Sequence, residues 1–384
     1  MNPRPSAPLP LDADPASLAI EAHLAPLALE AHLAPAIWGG HVLTGRFGKP
    51  GDPNATIGEA WECWDEDRVA SGLYAGRTLG ELRGELGGAL LGPLDPARAF
   101  PLLTKFIDAH AALSVQVHPD DAYAQRVEGQ PNGKTECWYV LEAEPGAQIV
   151  LGWTRDTSRA EYLERVARGT LDELLRQVPV RAGDAFYLPA GTLHAIGRGI
   201  VLYETQQTSD LTYRIYDYGR LDATGRPRAL HVEKAADVLD YRAATGGALR
   251  PLDYELEGLR RTTLVAGASF VLERVEADAS ARRLDLEGLP LVVTSLANEV
   301  AIEASAASLH VHAASLEETT ASFVLEPYRT AVLPAGLEAV MLRAVDSGSA
   351  QVLTSAPAGG SSLAARYARA RVPAARSADF LAQF

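Results

Sequence analysis

Gly183-Asp-Ala-Phe-Tyr-Leu-Pro189-Ala-Gly191-Thr-Leu-His194 is the stretch on which the fold turns. Ala185 to Leu188 is rich in strand-forming residues. Pro189 fixes one backbone angle and Gly191 permits the left-handed conformation, so the chain reverses tightly after the strand. Such a turn between two barrel strands aims His194 into the mouth of the barrel. Two earlier segments answer it: Gln116-Val-His118-Pro-Asp-Asp121 and Gly133-Lys-Thr-Glu136. Side chains alternate faces along a strand, so Gln116 and His118 point the same way. With Glu136 and His194 they supply two imidazoles, one carboxylate and one amide oxygen, a coherent ligand set for a divalent metal.

Outward from this core, 384 residues point to more than one domain. Residues 1–35 are expected to be an N-terminal extension. It holds a direct duplication, Leu18 to Pro26 repeated as Leu27 to Pro35, so His23 and His32 are repeat copies rather than ligands. Strand, turn, strand is expected from Ile37 to Glu62, and Leu79, Leu82, Leu86, Leu90 and Leu91 keep helical spacing. Phe100 to His118 is an apolar run leading to the ligand strand, with His110 expected either in the core or behind the ligands. Residues 156–177 read as two short amphipathic helices broken at Gly169. From Arg250 onward short β runs recur, which suggests a second barrel over 246–384 with an Ala/Arg-rich tail. Tyr328-Arg-Thr-Ala-Val-Leu-Pro334-Ala-Gly336-Leu-Glu-Ala339 echoes the opening stretch, with Ala339 at the histidine position. A duplicated domain that kept the turn and lost the metal would look like this. The fold class is therefore mainly β: two barrels, the first (36–245) carrying a small helical insert and the metal.

Gly183-x5-Pro189-x-Gly191-x2-His194 resembles the second motif of the cupin superfamily, although Arg198 stands where its terminal Asn is usual. Gln116 replaces the more common His of the first motif, and that departure is informative. The set resembles the type I phosphomannose isomerase family, in its short bacterial form. The similarity runs through Trp38-Gly-Gly40, Gly58-Glu-Ala-Trp-Glu62, Gln116 to Asp121, Gly133 to Tyr139 and the His194 loop. It ends in Glu204-Thr-Gln-Gln-Thr-Ser-Asp-Leu-Thr-Tyr-Arg-Ile-Tyr-Asp217 and Arg228-Ala-Leu-His231. Ala60 and Cys63 stand where hydroxyl residues are expected.

The resemblance implies that Gln116, His118, Glu136 and His194 hold one zinc ion per chain and that Arg214 is the catalytic arginine. Lys134 and Asp210 fall at positions expected to serve catalysis, and Trp38, Lys134 and Arg214 at positions expected to contact substrate. The implied reaction is the interconversion of mannose 6-phosphate and fructose 6-phosphate through an enediolate, in the cytoplasm. The residue chemistry suits that reaction: a metal polarises an oxygen, and a permanently charged guanidinium stabilises developing negative charge. Lys134 beside a cation is a candidate for a lowered pKa and proton transfer, in competition with Asp210 and a metal-bound water.

A net charge of −14 argues against nucleic acid or an anionic membrane as partner, but not against a small anionic ligand such as a hexose 6-phosphate. Two cysteines, Cys63 and Cys137, are too few for a disulfide framework. There is neither a long apolar run nor a signal-peptide pattern. His310-Val-His312 has strand spacing for two ligands, but the third position of the echo is Ala339 and exposed alternation explains the pair better. The rival functions are an iron-dependent cupin oxygenase, disfavoured by Gln116, and a non-catalytic sugar-phosphate-binding module.

Overall fold

The computed structural model describes residues 24–221, 225–304, 321–346, 348–358 and 363–384. Most of the first copy of the duplication (through residue 23) and the His310-Val-His312 pair lie outside the described residues. The first half contains β1 (Leu27–Ala28), β2 (His32–Gly40), β3 (Ile57–Cys63), β4 (Leu102–Ala109), β5 (Val115–Val117) and β6 (Glu136–Ala143). It continues with β7 (Gln148–Trp153), β8 (Leu175–Pro179), β9 (Ala185–Leu188), β10 (His194–Ile196), β11 (Ile200–Gln207) and β12 (Tyr213–Tyr216). The second half contains β13 (Leu252–Leu256), β14 (Leu259–Ala266), β15 (Phe270–Ala277), β16 (Arg282–Asp285) and β17 (Leu291–Ala297). It ends with β18 (Val300–Ala304), β19 (Ala321–Leu325), β20 (Thr330–Leu333), β21 (Ala339–Ala344) and β22 (Ala350–Pro357).

Two antiparallel sheets form each half. The first half pairs β2-β3-β4-β11-β6-β9 with β12-β5-β10-β7-β8; the second pairs β1-β20-β17-β22-β15-β14-β13 with β16-β21-β18-β19. This is the mainly-β architecture expected from the turn chemistry. The helices are few. The one over Leu79–Leu86 starts at a capping box in which Thr78 and Glu81 satisfy each other's backbone N–H, and it buries Leu79, Leu82 and Leu86. The Arg159–Arg168 helix is capped by Ser158 and stops at Gly169, whose φ of 68° only glycine adopts without strain.

The six-stranded sheet is buried on both faces, and the period of two sorts its side chains between two cores. On β11, Ile200 and Leu202 point into the first barrel; on β6, Trp138 and Val140 do; on β4, Ile107 and Ala109 do. The intervening residues Val201, Tyr203, Cys137, Tyr139 and Phe106 pack on the second half, against Val265, Leu272, Val293 and Leu353. Glu204, Glu136 and Lys105 continue the inward phase, so each strand ends its apolar row with a charge inside the barrel. The two halves meet at the buried Lys49–Glu62 ion pair (2.6 Å) of the first half, where Lys49 donates to the Tyr328 carbonyl and Glu62 accepts the Thr330 hydroxyl at 3.0 Å, and where Phe47 stacks on Tyr328 at 3.7 Å between ring centroids.

Three local expectations change. After Gly169 only a single 3-10 turn (Leu171–Leu174) follows, and Leu175–Pro179 is a strand paired with β7. The spacing of Leu171, Leu174, Leu175 and Val178 suits either conformation, and a free edge of β7 decides it. His110 is exposed, not in the core, because β4 ends at Ala109 and the chain turns outward. The second duplication copy is built into the sheets: Leu27 and Ala28 pair with Val332 and Ala331. His32 opens β2, so the expected boundary at 35/36 falls inside a strand. The Ala/Arg tail forms helices over Leu363–Arg369 and Ala374–Leu381, which bury Tyr367 and Phe380 against Leu252, Tyr254 and Leu256. The internal echo is structural as well. Thr330–Leu333, Pro334-Ala-Gly336 and a strand opening at Ala339 repeat β9, Pro189-Ala-Gly191 and a strand opening at His194.

Candidate metal centre and substrate cleft

Register brings the sequence-predicted ligands together. His194 is the first residue of β10 and pairs with Gln116 on β5, which in turn pairs with Arg214 on β12. One rung of the five-stranded sheet therefore carries His194, Gln116 and Arg214 in order. His118 follows β5 directly, and its carbonyl accepts the Gly191 N–H at 2.9 Å, tying the Pro-Gly turn to the ligand strand. Glu136 opens β6 on the opposite sheet. The loop before it packs so closely that a Cβ on Gly133 would lie 2.4 Å from the Pro119 carbonyl oxygen. Glycine there lets the Lys134 N–H donate to that same carbonyl at 2.9 Å, which delivers Lys134 and Glu136 to the barrel mouth.

His118, Glu136 and His194 are all buried, and one ligand atom from each lies within 4.8 Å of the others. His118 Nε2 is 3.4 Å from Glu136 Oε2, and His194 Nε2 is 3.2 Å from Glu136 Oε1. Each imidazole is oriented by its other nitrogen, with Nδ1 bonding the Leu211 carbonyl (2.7 Å) in His118 and the Thr192 carbonyl (2.8 Å) in His194. A carbonyl only accepts, so both Nδ1 atoms carry hydrogen and both Nε2 atoms present lone pairs. Burial pushes the His118 pKa down to about 3 and lowers that of His194, which keeps both rings neutral. Burial disfavours the ionised Glu136, but the Lys134 ammonium beside it holds its carboxyl well below the usual range. The result is a knot of acceptors short of donors: His118 Nε2 and Glu136 Oε1 are buried without a hydrogen-bond donor, and Glu136 Oε2 meets only the Lys134 ammonium, at 2.8 Å. A cation satisfies that arrangement and a neutral group does not. Gln116 completes it: its amide lies 3.3 Å from His194 Nε2 and its oxygen can face the same point when the amide is turned.

The other predicted residues, Trp38, Lys134, Asp210 and Arg214, line one cleft with Gln116. Lys134 reaches Glu136 at 2.8 Å and Glu204 at 3.9 Å. Burial alone would lower its pKa, yet those two carboxylates outweigh it and hold the ammonium above its ordinary value. Lys134 is thus a fixed cation in this state, not the neutral base that a lowered pKa would make. Arg214 is half-buried; its Nε donates to Ser114 Oγ (3.3 Å) and its Nη1 to the Ala229 carbonyl (3.2 Å). Asp210 is exposed and makes no ion pair with Arg214 among the described residues.

Sequence reasoning missed Lys105, Glu59 and Glu204. Glu204 sits in β11 directly between Lys105 of β4 and Trp138 of β6. It accepts the Trp138 Nε1–H at 2.8 Å, and Lys105 reaches Glu59 at 3.1 Å. Burial first, and then Glu136, push the Glu204 carboxyl up to about 7 against the pull of Lys134 and Lys105. The signal was present: a lysine set among Leu102, Leu103, Phe106 and Ile107 on a strand has no reason to be there unless a buried carboxylate meets it.

Comparison with known proteins gives the same picture. No protein-family model matches the chain. A curated mannose-6-phosphate isomerase of Streptococcus mutans is 44% identical over 250 residues, 64% of this chain and 77% of that protein. A mannose-6-phosphate isomerase of Bacillus subtilis is 43% identical over 250 residues, with the same two coverages of 64% and 77%. The chain belongs to the mannose-6-phosphate isomerase family. A crystal structure of the family from Bacillus subtilis superposes with a TM-score of 0.74 at 31% identity, covering 86% of this chain and 99% of that one. A structure described as a putative mannosephosphate isomerase from Archaeoglobus fulgidus shares the fold, with a TM-score of 0.66 at 18% identity over 87% of this chain and 98% of that one. Family membership makes this chain an isomerase in class, and among its described residues no helix is long and apolar enough to cross a membrane.

Proposed function

We propose that this protein interconverts mannose 6-phosphate and fructose 6-phosphate with one divalent ion, zinc, held by Gln116, His118, Glu136 and His194, and that it works in the cytoplasm. The observation that carries the reading is the buried cluster of His118, Glu136 and His194, in which His118 Nε2 and Glu136 Oε1 have no donor, next to a cleft lined by Gln116, Lys134 and Arg214. Zinc suits two neutral imidazoles, a carboxylate and an amide oxygen better than calcium or magnesium, which prefer oxygen alone. When bound, the ion supplies Lewis acidity to a substrate oxygen.

The remaining chemistry belongs to side chains. Removing the C2 proton of the open-chain aldose sends its electron pair toward the C1 carbonyl and gives an enediolate; the hydroxyl proton passes from O2 to O1, and returning the carbon-bound proton at C1 leaves the C2 carbonyl of the ketose. Arg214, in register with the ligand rung and charged at every working pH, faces the developing oxyanion. Lys134, clamped between Glu136 and Glu204, donates to a substrate oxygen. Asp210 lines the cleft without an arginine to neutralise it, and we assign proton acceptance to it. Trp38 closes one wall and excludes water. The isomerase reading is favoured over an iron oxygenase by the amide ligand and by the company of two lysines and an arginine, which suit an anionic substrate rather than dioxygen. The deciding experiment is a coupled isomerase assay on purified protein, before and after chelation, with zinc restored. Turnover should vanish and return; an inactive zinc-loaded protein refutes the reading.

A further inference from the structure

Arg228-Ala-Leu-His231 is a motif of this sequence that the metal centre leaves unused, and its placement gives it work. The His231 N–H donates to the Arg214 carbonyl at 2.7 Å, and the Arg214 side chain donates to the Ala229 carbonyl at 3.2 Å. The segment therefore runs along the outer side of β12, so the order across the sheet is Arg228 segment, Arg214, Gln116, His194. Adjacent strands stand about 4.8 Å apart, which sets this segment roughly 10 Å from the Gln116 backbone, comparable to an open six-carbon chain with its phosphate.

Charge is unbalanced there. Arg220 and Arg228 both bind Asp217, Arg228 through Nε at 2.7 Å and Nη2 at 2.5 Å, Arg220 through Nη2 at 2.5 Å. Arg214 makes no ion pair with a carboxylate among the described residues, so three guanidiniums share one carboxylate. Their crowding shows in Arg214, whose pKa is lowered by burial first and next by Arg228. Arg220 is consumed by structure, since its other nitrogens donate to the Ala112 and Asp217 carbonyls. Arg228 instead lines the cleft with Arg214, and its Nη1 has no partner among the described residues. The two lysines of the cleft are already matched by Glu59, Glu136 and Glu204. The positive excess is local: around Asp217 three guanidiniums meet one carboxylate, an excess that Asp210, which lines the same cleft, does not cancel. Asp217 occupies Nε and Nη2 and holds the guanidinium rigid, so what Arg228 offers a dianion is a fixed, charge-assisted donor at Nη1.

We propose that Arg228, fixed by Asp217 beside Arg220, is the residue that binds the phosphate of the hexose phosphate, leaving Arg214 to the reacting end of the sugar. This rests on the isomerase reading above. It makes Arg228 a residue that distinguishes phosphorylated from free hexose. The test uses the full chain with zinc bound and compares wild type, Arg228→Gln and Arg228→Lys. Arg228→Gln should raise KM for mannose 6-phosphate roughly ten- to hundredfold, the cost of losing one charge-assisted phosphate contact, with kcat within about threefold and zinc content unchanged. Arg228→Lys, which keeps charge but not the fork, should recover part of the loss. Inorganic phosphate binding to the same zinc-loaded proteins, followed by calorimetry, should weaken in the same order. That measurement needs no turnover: a wild type without isomerase activity sinks the proposed function alone. Phosphate affinity and KM unchanged in folded Arg228→Gln would overturn the assignment of Arg228. If Arg228→Gln does not fold, the assignment rests on Arg228→Lys, and equal phosphate affinity in that variant overturns it.

Discussion

Replacing Glu273 by glutamine offers the sharpest energetic test of the structure, because the residue is buried in the second half, remote from the cleft. Its carboxylate accepts from Tyr254 (2.5 Å), Thr263 (2.8 Å) and Arg366 (2.8 Å), and also from Arg261. Burial opposes its ionisation, but Arg261 and Arg366 overcome this and bring the pKa from 4.5 down to about 2. A native pKa below the unfolded one means that the ionised form stabilises the fold. The contribution is complete above about pH 4.5 and is lost as pH falls towards 2. A drop from 4.5 to about 2 corresponds to roughly 3 kcal/mol, undiminished by solvent at a site 2% exposed. The glutamine side chain would keep the shape and lose the charge, leaving two arginines facing a neutral amide. Urea unfolding at neutral pH should show Glu273→Gln less stable by about 3 kcal/mol or somewhat more. The gap between wild type and variant should close as pH is lowered from 4.5 to 2. A gap independent of pH would refute the linkage, and an absent gap would refute the ion cluster itself.

Other predictions address the site and the joint between the halves. His194→Ala should abolish both zinc binding and turnover, measured by metal analysis and the coupled assay, whereas His312→Ala should change neither. Asp210→Asn should lower kcat by at least about tenfold with KM and zinc content within about twofold; an unchanged kcat removes Asp210 as proton acceptor. Lys49→Met should cost roughly 3–5 kcal/mol in urea unfolding, because Glu62 would remain charged and buried with only Thr330 to donate to it. A loss under about 1 kcal/mol would show that the buried pair does not join the halves.

How far the sequence led depends on the range of the forces involved. The turn at Pro189 and Gly191, the capping box at Thr78 and the stop at Gly169 are local, written in backbone preferences of a few neighbouring residues. The ligand set was legible because strand alternation and metal chemistry restrict residue type and spacing, and His118, Glu136 and His194 do converge. The rest needed three dimensions. Leu175–Pro179 became a strand because β7 offered an edge, and Leu27–Ala28 joined a sheet at the far end of the chain because β20 did. Lys105, Glu59 and Glu204 lie too far apart in the chain to announce a partnership; register alone brings their charges together. The same holds for Arg228, whose side chain matters only because the chain returns alongside β12. By itself the sequence determined which groups can hold a metal and where the backbone must turn, since those choices are set within a few residues. The tertiary structure decided which charges find partners, as Arg228 does in Asp217, and which, like Arg214, have no carboxylate paired with them among the described residues, because electrostatic balance is struck across space and not along the chain.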